Sequence, residues 1–566
     1  MTRALAIACL LALAAIGVAR ADDTPPPLAS DIPDYVDEAA SAGINHTYTG
    51  PWEFFVGGGV AAFDCNGDRK PDLFMAGGTN PAELFENDSP TGGALKFHKV
   101  DLKGIDPADL KDVIGAYPID IDNDGHMDLV VLRLGSNLIL KGDGACQFTR
   151  MNDAWAFDGG KDWTTAFAAT FEAGQKFPTL AVGNYVDRQA PGSPWGTCAP
   201  SYLMRPAEGD TPNYSNPFTL DPSYCTLSML FTDWNQSGIP SLRVANDRQY
   251  YRGGEEQMWR VDPGRSPKLF TAADGWQHLS IWGMGIAEGD ISGNGYPEYA
   301  ITSMGDTKIQ ELDPDAQSGD EKQPIYKDIA YQVGATAQRP YQGTDYRPST
   351  GWHSEFADVN NDGLLDLFIA KGNVEGMPEF AAYDPDNLLL GTWDGKFTEV
   401  GGQAGIASEK RGRGAAVVDL NMDGQLDIVV INRNARASVF RNLGARTAWG
   451  HEPLGNWLEV ELTQPGTNRN AVGARVSVKI GNRTMTRTIE VGGGHASGQA
   501  GFVHFGLGTA ERAEIRIKWP DGDWSNTYKA FADNFVRIDR SKPAAGYWLP
   551  PSPDEQLPPA ESPPVQ

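Results

Sequence analysis

The stretch DVNNDGLLDLFIAKGN, Asp358 to Asn373, decides the fold. Oxygen-bearing side chains stand at positions 1, 3, 5 and 9 of a short loop (Asp358, Asn360, Asp362, Asp366), and Gly363 occupies position 6. Phe356-Ala357 precedes the loop and Leu367-Phe-Ile-Ala370 follows it, a pattern that reads strand, polar loop, strand. The same grammar returns in DIDNDGHMDLVVLRLG from Asp120 and DLNMDGQLDIVVINRN from Asp419. Looser copies are DCNGDRKPDLFMAGG from Asp64, DISGNGYPEYAITSMG from Asp290 and DWNQSGIPSLRVAND from Asp233. A seventh, degenerate copy, FEAGQKFPTLAVGNY, begins at Phe171. The starts lie 56, 51, 62, 57, 68 and 61 residues apart, too long for the usual β-solenoid repeat. Seven β-units of this size predict an all-β chain, a seven-bladed β-propeller followed by a small β-sandwich-like domain.

The loops carry the chemistry. A hard cation takes six to eight oxygens, so several carboxylates must converge from one short segment, helped by a backbone carbonyl after a sharp glycine turn. Asp358, Asn360, Asp362 and Asp366 form one such set, and so do Asp120, Asp122, Asp124 and Asp128. Asp419, Asn421, Asp423 and Asp427 form a third. Asp64, Asn66, Asp68 and Asp72 keep all four positions but place Gly67 at position 4 and Arg69 at position 6. Asp290, Ser292, Asn294 and Glu298 are a weaker set, Asp233, Asn235, Ser237 and Ser241 weaker still, and the Phe171 copy should bind nothing. All-oxygen ligation favours Ca²⁺ over zinc or copper, and three to five ions are expected. Position 12, where an EF-hand needs Glu, is Val131, Ile369 or Val430, so these are β-hairpin sites.

The pattern resembles FG-GAP/VCBS repeats, carried by Gly58-Gly-Val-Ala-Ala-Phe-Asp64, Met284-Gly-Ile-Ala-Glu-Gly-Asp290 and Gly412-Arg-Gly-Ala-Ala-Val-Val-Asp419. In that family the loops bind calcium. Downstream, Asn456-Trp-Leu-Glu-Val-Glu-Leu462, Asn470-Ala-Val-Gly-Ala-Arg-Val476, Gly492-Gly-Gly494, His504-Phe-Gly-Leu-Gly508 and Ile515-Arg-Ile-Lys-Trp-Pro-Asp-Gly522 resemble the ASPIC/UnbV domain. The two together resemble the cartilage acidic protein family. The expected organisation is a signal peptide at 1–21 and an N-terminal segment at 22–49 belonging to the first or last blade. The propeller then spans 50–450, the ASPIC/UnbV-like β domain 453–538, and a Pro-rich disordered tail 540–566.

Composition agrees with this plan. Among 566 residues there are 65 Gly and 39 Pro, a turn-rich inventory that argues against long helices. The net charge of −27 repels polyanions, so no nucleic-acid partner is expected. Met1 to Ala21 reads as an export signal ending in Ala19-Arg20-Ala21, no transmembrane segment is expected in the mature chain, and the product should be secreted or periplasmic. Cys65, Cys146, Cys198 and Cys225 remain; Cys198 and Cys225 bracket a Pro-rich loop and are the favoured pair, leaving Cys65 with Cys146.

No catalytic set stands out. The sequence has neither H-E-x-x-H nor G-x-S-x-G, and Gly492-Gly-Gly-His-Ala-Ser-Gly-Gln499 reads as a Gly-rich turn of the small domain. Trp276, Trp282 and Trp352 read as core, with sugar stacking as the alternative; Arg411 and Arg413 read as a solvated loop. The expectation is an exported calcium-binding propeller whose ions are structural, with a protein or carbohydrate ligand on a propeller face. The alternative is a polysaccharide-active enzyme, lyase or hydrolase, with its site at the channel mouth, or an accessory factor to a partner enzyme.

Overall fold

The computed structural model describes residues 31–190, 197–247, 254–317 and 322–551. The export-signal reading of 1–21 lies outside them. Seven sheets follow one another, each built on consecutive antiparallel strands, and Gly498–Gln499 adds a parallel strand to the first. Their first strands are Val60–Phe63, Val113–Ile119, Thr164–Thr170, Thr226–Thr232, Gly283–Gly289, Gly351–Ala357 and Arg411–Val418. The second strands begin at Asp72, Asp128, Thr179, Ser241, Glu298, Asp366 and Asp427. These are position 9 of the seven sequence repeats, so every repeat is the turn between the first two strands of a sheet. The seventh sheet is completed from the other end of the chain, because Pro33–Asp37 pairs antiparallel with Ser438–Thr447.

The first strand of each sheet packs against that of the next, and Arg411–Val418 packs against Val60–Phe63. The strands are apolar and small: Ala61, Ala116, Ala166, Ala168 and Ala415 are buried, which lets the sheets approach closely. Both disulfides form as the spacing suggested. Cys65–Cys146 ties the first sheet to the second, and Cys198–Cys225 joins the third sheet, just before its strand Ser201–Met204, to the start of the fourth.

The C-terminal part has two further four-stranded sheets. One joins Asn456–Thr463, Val503–Gly508, Asn534–Asp539 and Gly546–Trp548; the other joins Arg475–Ile480, Arg483–Thr488, Arg512–Lys518 and Tyr528–Phe531. Alternating residues of both, including Val460, Val476, Ile515 and Val536, share one core. The disordered reading of 540–566 is corrected in its first half. Gly546–Trp548 pairs with Asn534–Asp539, and Trp548 packs edge-on against Phe535 at 5.2 Å. Those aromatic contacts supply what the prolines could not; residues 552–566 lie outside the description. Among the described residues no helix is long and apolar enough to cross a membrane.

Candidate functional site

Each full repeat folds into the same turn, and its acids hold the backbone. In the sixth sheet Asp358 accepts N–H bonds from Asp362 (3.1 Å) and Gly363 (2.7 Å), and Asp362 accepts from Leu364 at 2.7 Å. In the seventh, Asp419 accepts from Asp423 (3.1 Å) and Gly424 (2.7 Å), and Asp423 accepts from Gln425 at 3.0 Å. The second sheet repeats this with Asp120, Asp124, Gly125 and His126. Position 6 takes a left-handed conformation, φ 93° at Gly125, 86° at Gly363 and 78° at Gly424, as the sequence pattern required. In the first loop Arg69 adopts it instead, at φ 69°. Its side chain is held by Glu461 at 3.4 Å and stacks over Trp548.

Position 9 does more than the sequence suggested. Asp366 accepts from Val359 N–H and, across the sheet, from Gly391 N–H, both at 2.8 Å. Asp72, Asp128 and Asp427 make the equivalent pair of bonds with Cys65 and Asn87, Ile121 and Gly142, and Leu420 and Asn442. This residue therefore pins its loop to the third strand. Glu298 bonds Ile291 N–H and takes Ser292 Oγ at 2.8 Å, so Ser292 is engaged within its own loop; Asn294 accepts from Tyr296 N–H at 2.7 Å. In the first loop Asn66 accepts from Asp68 N–H (2.9 Å) and Asp68 from Lys70 N–H (2.9 Å), while Asp64 accepts from Gly67 N–H at 2.7 Å.

These loops suit a cation. Carboxylate atoms of Asp120, Asp122 and Asp124 lie within 4.8 Å of one another, a spacing that could hold a metal ion. Asn421 is only 1% exposed, yet its Oδ1 has no hydrogen-bond partner, and Asp290 Oδ1 is likewise buried and unpaired. Burial, reinforced by neighbouring carboxylates, pushes Asp358, Asp366, Asp419 and Asp427 well above the usual carboxylate range. Asp72 rises to about 8, Glu298 to about 7, and Asp68 and Asp120 to about 6, each chiefly through burial. A divalent ion is the chemical species that would let such groups stay ionised together. Asp72 also comes together with Cys65 and Cys146, but both sulfurs are spent in the disulfide.

The C-terminal part sits on these loops. Gly508 N–H bonds Asn361 O at 2.8 Å, and His504 Nε2 lies 2.6 Å from Asn361 Oδ1. Asn468 N–H donates to Asn123 Oδ1, Arg475 donates to Gly295 O, and Lys518 reaches Gln236 O at 3.3 Å. The contacts fall on positions 4 and 6, which the sequence did not mark as ligand positions. A cavity of about 410 Å³ lies between loops and domain, lined by Glu288, Glu355, Glu459 and Glu490 with Arg475 and Arg487.

The segment read as a Gly-rich turn is corrected most sharply. Residues 490–501 leave their own domain and touch the first strand of all seven sheets. Ala500 N–H bonds Ala62 O, Ser497 bridges to Ala116, and Ala169 N–H bonds Val491 O. Gly493 and Gly494 N–H bond Met229 O and Ile286 O, both at 2.7 Å. His495 N–H reaches His353 Nδ1 at 3.1 Å, and Val417 N–H reaches Gln499 Oε1 at 3.3 Å. His495 is fully buried; its Nε2 accepts Gly57 N–H at 3.0 Å, so the neutral ring carries its proton on Nδ1. Trp352 packs on it at 5.1 Å and is core, as is Trp276. Arg413 is not a solvated loop residue. It is fully buried over Trp352, and carbonyls of Phe55, Gly372, Gly412, Asn373 and Val374 take its protons.

Burial, with Arg413 and His353 nearby, lowers His495 from 6.5 to about 3. The unfolded chain then binds the extra proton first, so this contribution is complete above pH ~6.5 and is lost as pH falls toward about 3. The melting temperature should therefore drop more steeply between about pH 7 and 5, which spans the free-imidazole value of ~6.5, in the native protein than in His495→Gln. Parallel slopes would contradict the buried neutral histidine.

Family models match the chain as FG-GAP-like repeats at 64–131 and 358–430, and as ASPIC and UnbV at 464–545. The protein thus combines FG-GAP-like repeats with an ASPIC and UnbV segment. It is 32% identical over 124 residues to Cartilage acidic protein 1 of Homo sapiens and 35% identical over 127 residues to that of Xenopus tropicalis. Each match takes 21% of this chain and 17% and 18% of those relatives, so the chain spans under a fifth of their length. Among solved structures it is similar to BBS1N in complex with ARL6DN, at TM-score 0.39 and 11% identity, covering 73% of this chain and 98% of that one. It is also similar to an Agrocybe aegerita structure described for recognition of non-reducing terminal N-acetylglucosamine, at TM-score 0.30 and 15% identity, covering 71% and 86%. These likenesses are remote.

Proposed function

We propose that the chain is an exported, calcium-braced seven-bladed propeller whose loop face carries its own sandwich-like C-terminal domain, and that it works as a binding or adhesion module. The observation that carries the architecture is the reach of residues 490–501. One segment of a dozen residues can touch seven consecutive first strands only if those strands surround it. The domain limits then follow as 50–450 for the propeller, completed by Pro33–Asp37, and 453–538 plus the Gly546–Trp548 strand for the cap.

Calcium would balance the clustered acids of the loops. Asp358, Asn360, Asp362 and Asp366 would hold one ion, Asp419, Asn421, Asp423 and Asp427 another, and Asp64, Asn66, Asp68 and Asp72 a third. Asp290, Ser292, Asn294 and Glu298 are a fourth, weaker set. With the loop face covered, a protein or glycan partner has the opposite face. There Trp52, 38% exposed, packs against Phe55 and stands edge-on to Trp163 at 5.4 Å. An aromatic surface with one ring in water suits sugar stacking or a protein contact. A catalytic site at the channel mouth would need an open axis, and 490–501 fills it.

Chelation with EGTA should lower the melting temperature by mass action and raise hydrogen exchange in 490–501 together with the loops. A melt and exchange pattern indifferent to EGTA would overturn the calcium reading. Loss of glycan-array or pull-down signal in Trp52→Ala, with the melt unchanged, tests the binding face.

A further inference from the structure

The loop at 120–128 has the most regular acid pattern of the seven, and among the described residues a single ammonium sits against its acids at both positions 3 and 5. Lys141 Nζ lies in hydrogen-bond contact with Asp122 Oδ2 and 2.6 Å from Asp124 Oδ2. Its side chain is 27% exposed, so the ammonium is lodged against the loop and does not trail in solvent. Positions 3 and 5 are the two carboxylates that a bound ion would bridge, and the ammonium bridges them instead.

Why the lysine is there follows from the sheet. The third-strand residue whose N–H binds the position 9 carboxylate is Asn87, Gly142, Gly391 or Asn442 in the first, second, sixth and seventh sheets. The residue before it is Glu86, Lys141, Leu390 or Arg441. Glu86 Oε1 takes Asn66 Nδ2 at 3.2 Å and so adds a carboxylate to the first loop. Leu390 is buried and uncharged. Arg441 is drawn to Glu38, with Nε 3.1 Å from its carboxylate. One register position thus carries a negative, a neutral or a positive group beside otherwise similar loops.

We propose that Lys141 is the built-in counter-ion of the 120–128 loop and closes it to calcium in the native chain. The inference rests on the calcium reading above and restricts it, because Asp120, Asp122, Asp124 and Asp128 then shape a loop without holding an ion. A divalent ion entering there must expel the ammonium or sit against like charge. Asp122 Oδ1, buried and without a hydrogen-bond partner, is the atom left for an ion once the ammonium is gone.

The test is a calcium count by elemental analysis on the full chain after gel filtration. Lys141→Met keeps the length of the side chain and removes its charge, and it should hold one more ion per chain than the native protein. Asp120→Ala should leave the native count unchanged and should remove the extra ion when combined with Lys141→Met. Lys141→Glu, which copies Glu86, should gain the ion too and serves if the methionine variant folds poorly. The proposal is overturned if Asp120→Ala removes an ion from the native chain, or if neither Lys141 variant gains one while Asp419→Ala loses one. Failure of the calcium reading itself would show differently, as a native count already at zero and unmoved by Asp419→Ala, and the proposal would fall with it.

Discussion

Gly59→Ala is expected to destabilise the protein by about 3 kcal/mol, the upper end of what overpacking a core does, although it adds a single methyl group. A Cβ at Gly59 would lie 1.7 Å from the carbonyl oxygen of Ala496 in the central segment. Neither side can yield easily. Gly59 leads directly into Val60–Phe63, and Ala496 is wedged between Gly57, bonded through His495, and the Ser497 hydroxyl, which accepts Val60 N–H at 3.1 Å. The decisive comparison is a chain in which residues 491–500 are replaced by a Gly-Ser linker. There the same substitution should cost under about 1 kcal/mol, since alanine is otherwise no worse than glycine in extended backbone. Equal losses of stability in the two backgrounds, measured by denaturant unfolding, would mean that the methyl clashes with something other than the segment.

That contact shows why the loops were legible in the sequence and the segment was not. A nine-residue turn with acids at fixed positions writes its geometry locally, because Asp358 binds N–H groups four and five residues on, and Gly363 permits the turn. The spacing of such turns gave seven units, and the cysteine spacing gave both bridges. The central segment depends on partners elsewhere: His495 meets Gly57 across 438 residues. Locally, Gly492-Gly-Gly494 is indistinguishable from a flexible turn. The available signal was size matching, a run of Gly, Ala and Ser facing the Gly57-Gly-Gly59 and Gly412-Arg-Gly414 stretches at first-strand starts. Arg413 differs from its reading for the same reason, since four of the five carbonyls around it come from two distant stretches, Phe55 and 372–374. Lys141 shapes its loop from 17 residues past Asp124, on a different strand.

Gly424→Ala should detach the C-terminal domain from the seventh loop, and a second glycine separates the two causes. Gly424 has φ +78°, which alanine adopts at about 1 kcal/mol, and its Cβ would lie 1.8 Å from Trp457 Cε2 and 2.1 Å from Nε1. Trp457 opens the strand Asn456–Thr463 and packs edge-on against Phe535 at 5.0 Å, so its indole cannot swing aside without opening that domain's sheet. Gly125 occupies the same loop position with φ +93°, but its Cβ would meet only the Arg469 guanidinium at 3.2 Å, the far end of a flexible side chain. Gly125→Ala should therefore show the backbone term alone, about 1 kcal/mol, and Gly424→Ala about 2 to 3 kcal/mol more. Limited proteolysis near Trp449, which is 96% exposed just before the domain, should accelerate in the second variant and not in the first. Adding Trp457→Ala removes the indole, so the penalty for Gly424→Ala should then fall to that of Gly125→Ala. A penalty that stays large in the absence of the indole would place the strain within the loop and deny that the loop carries the domain.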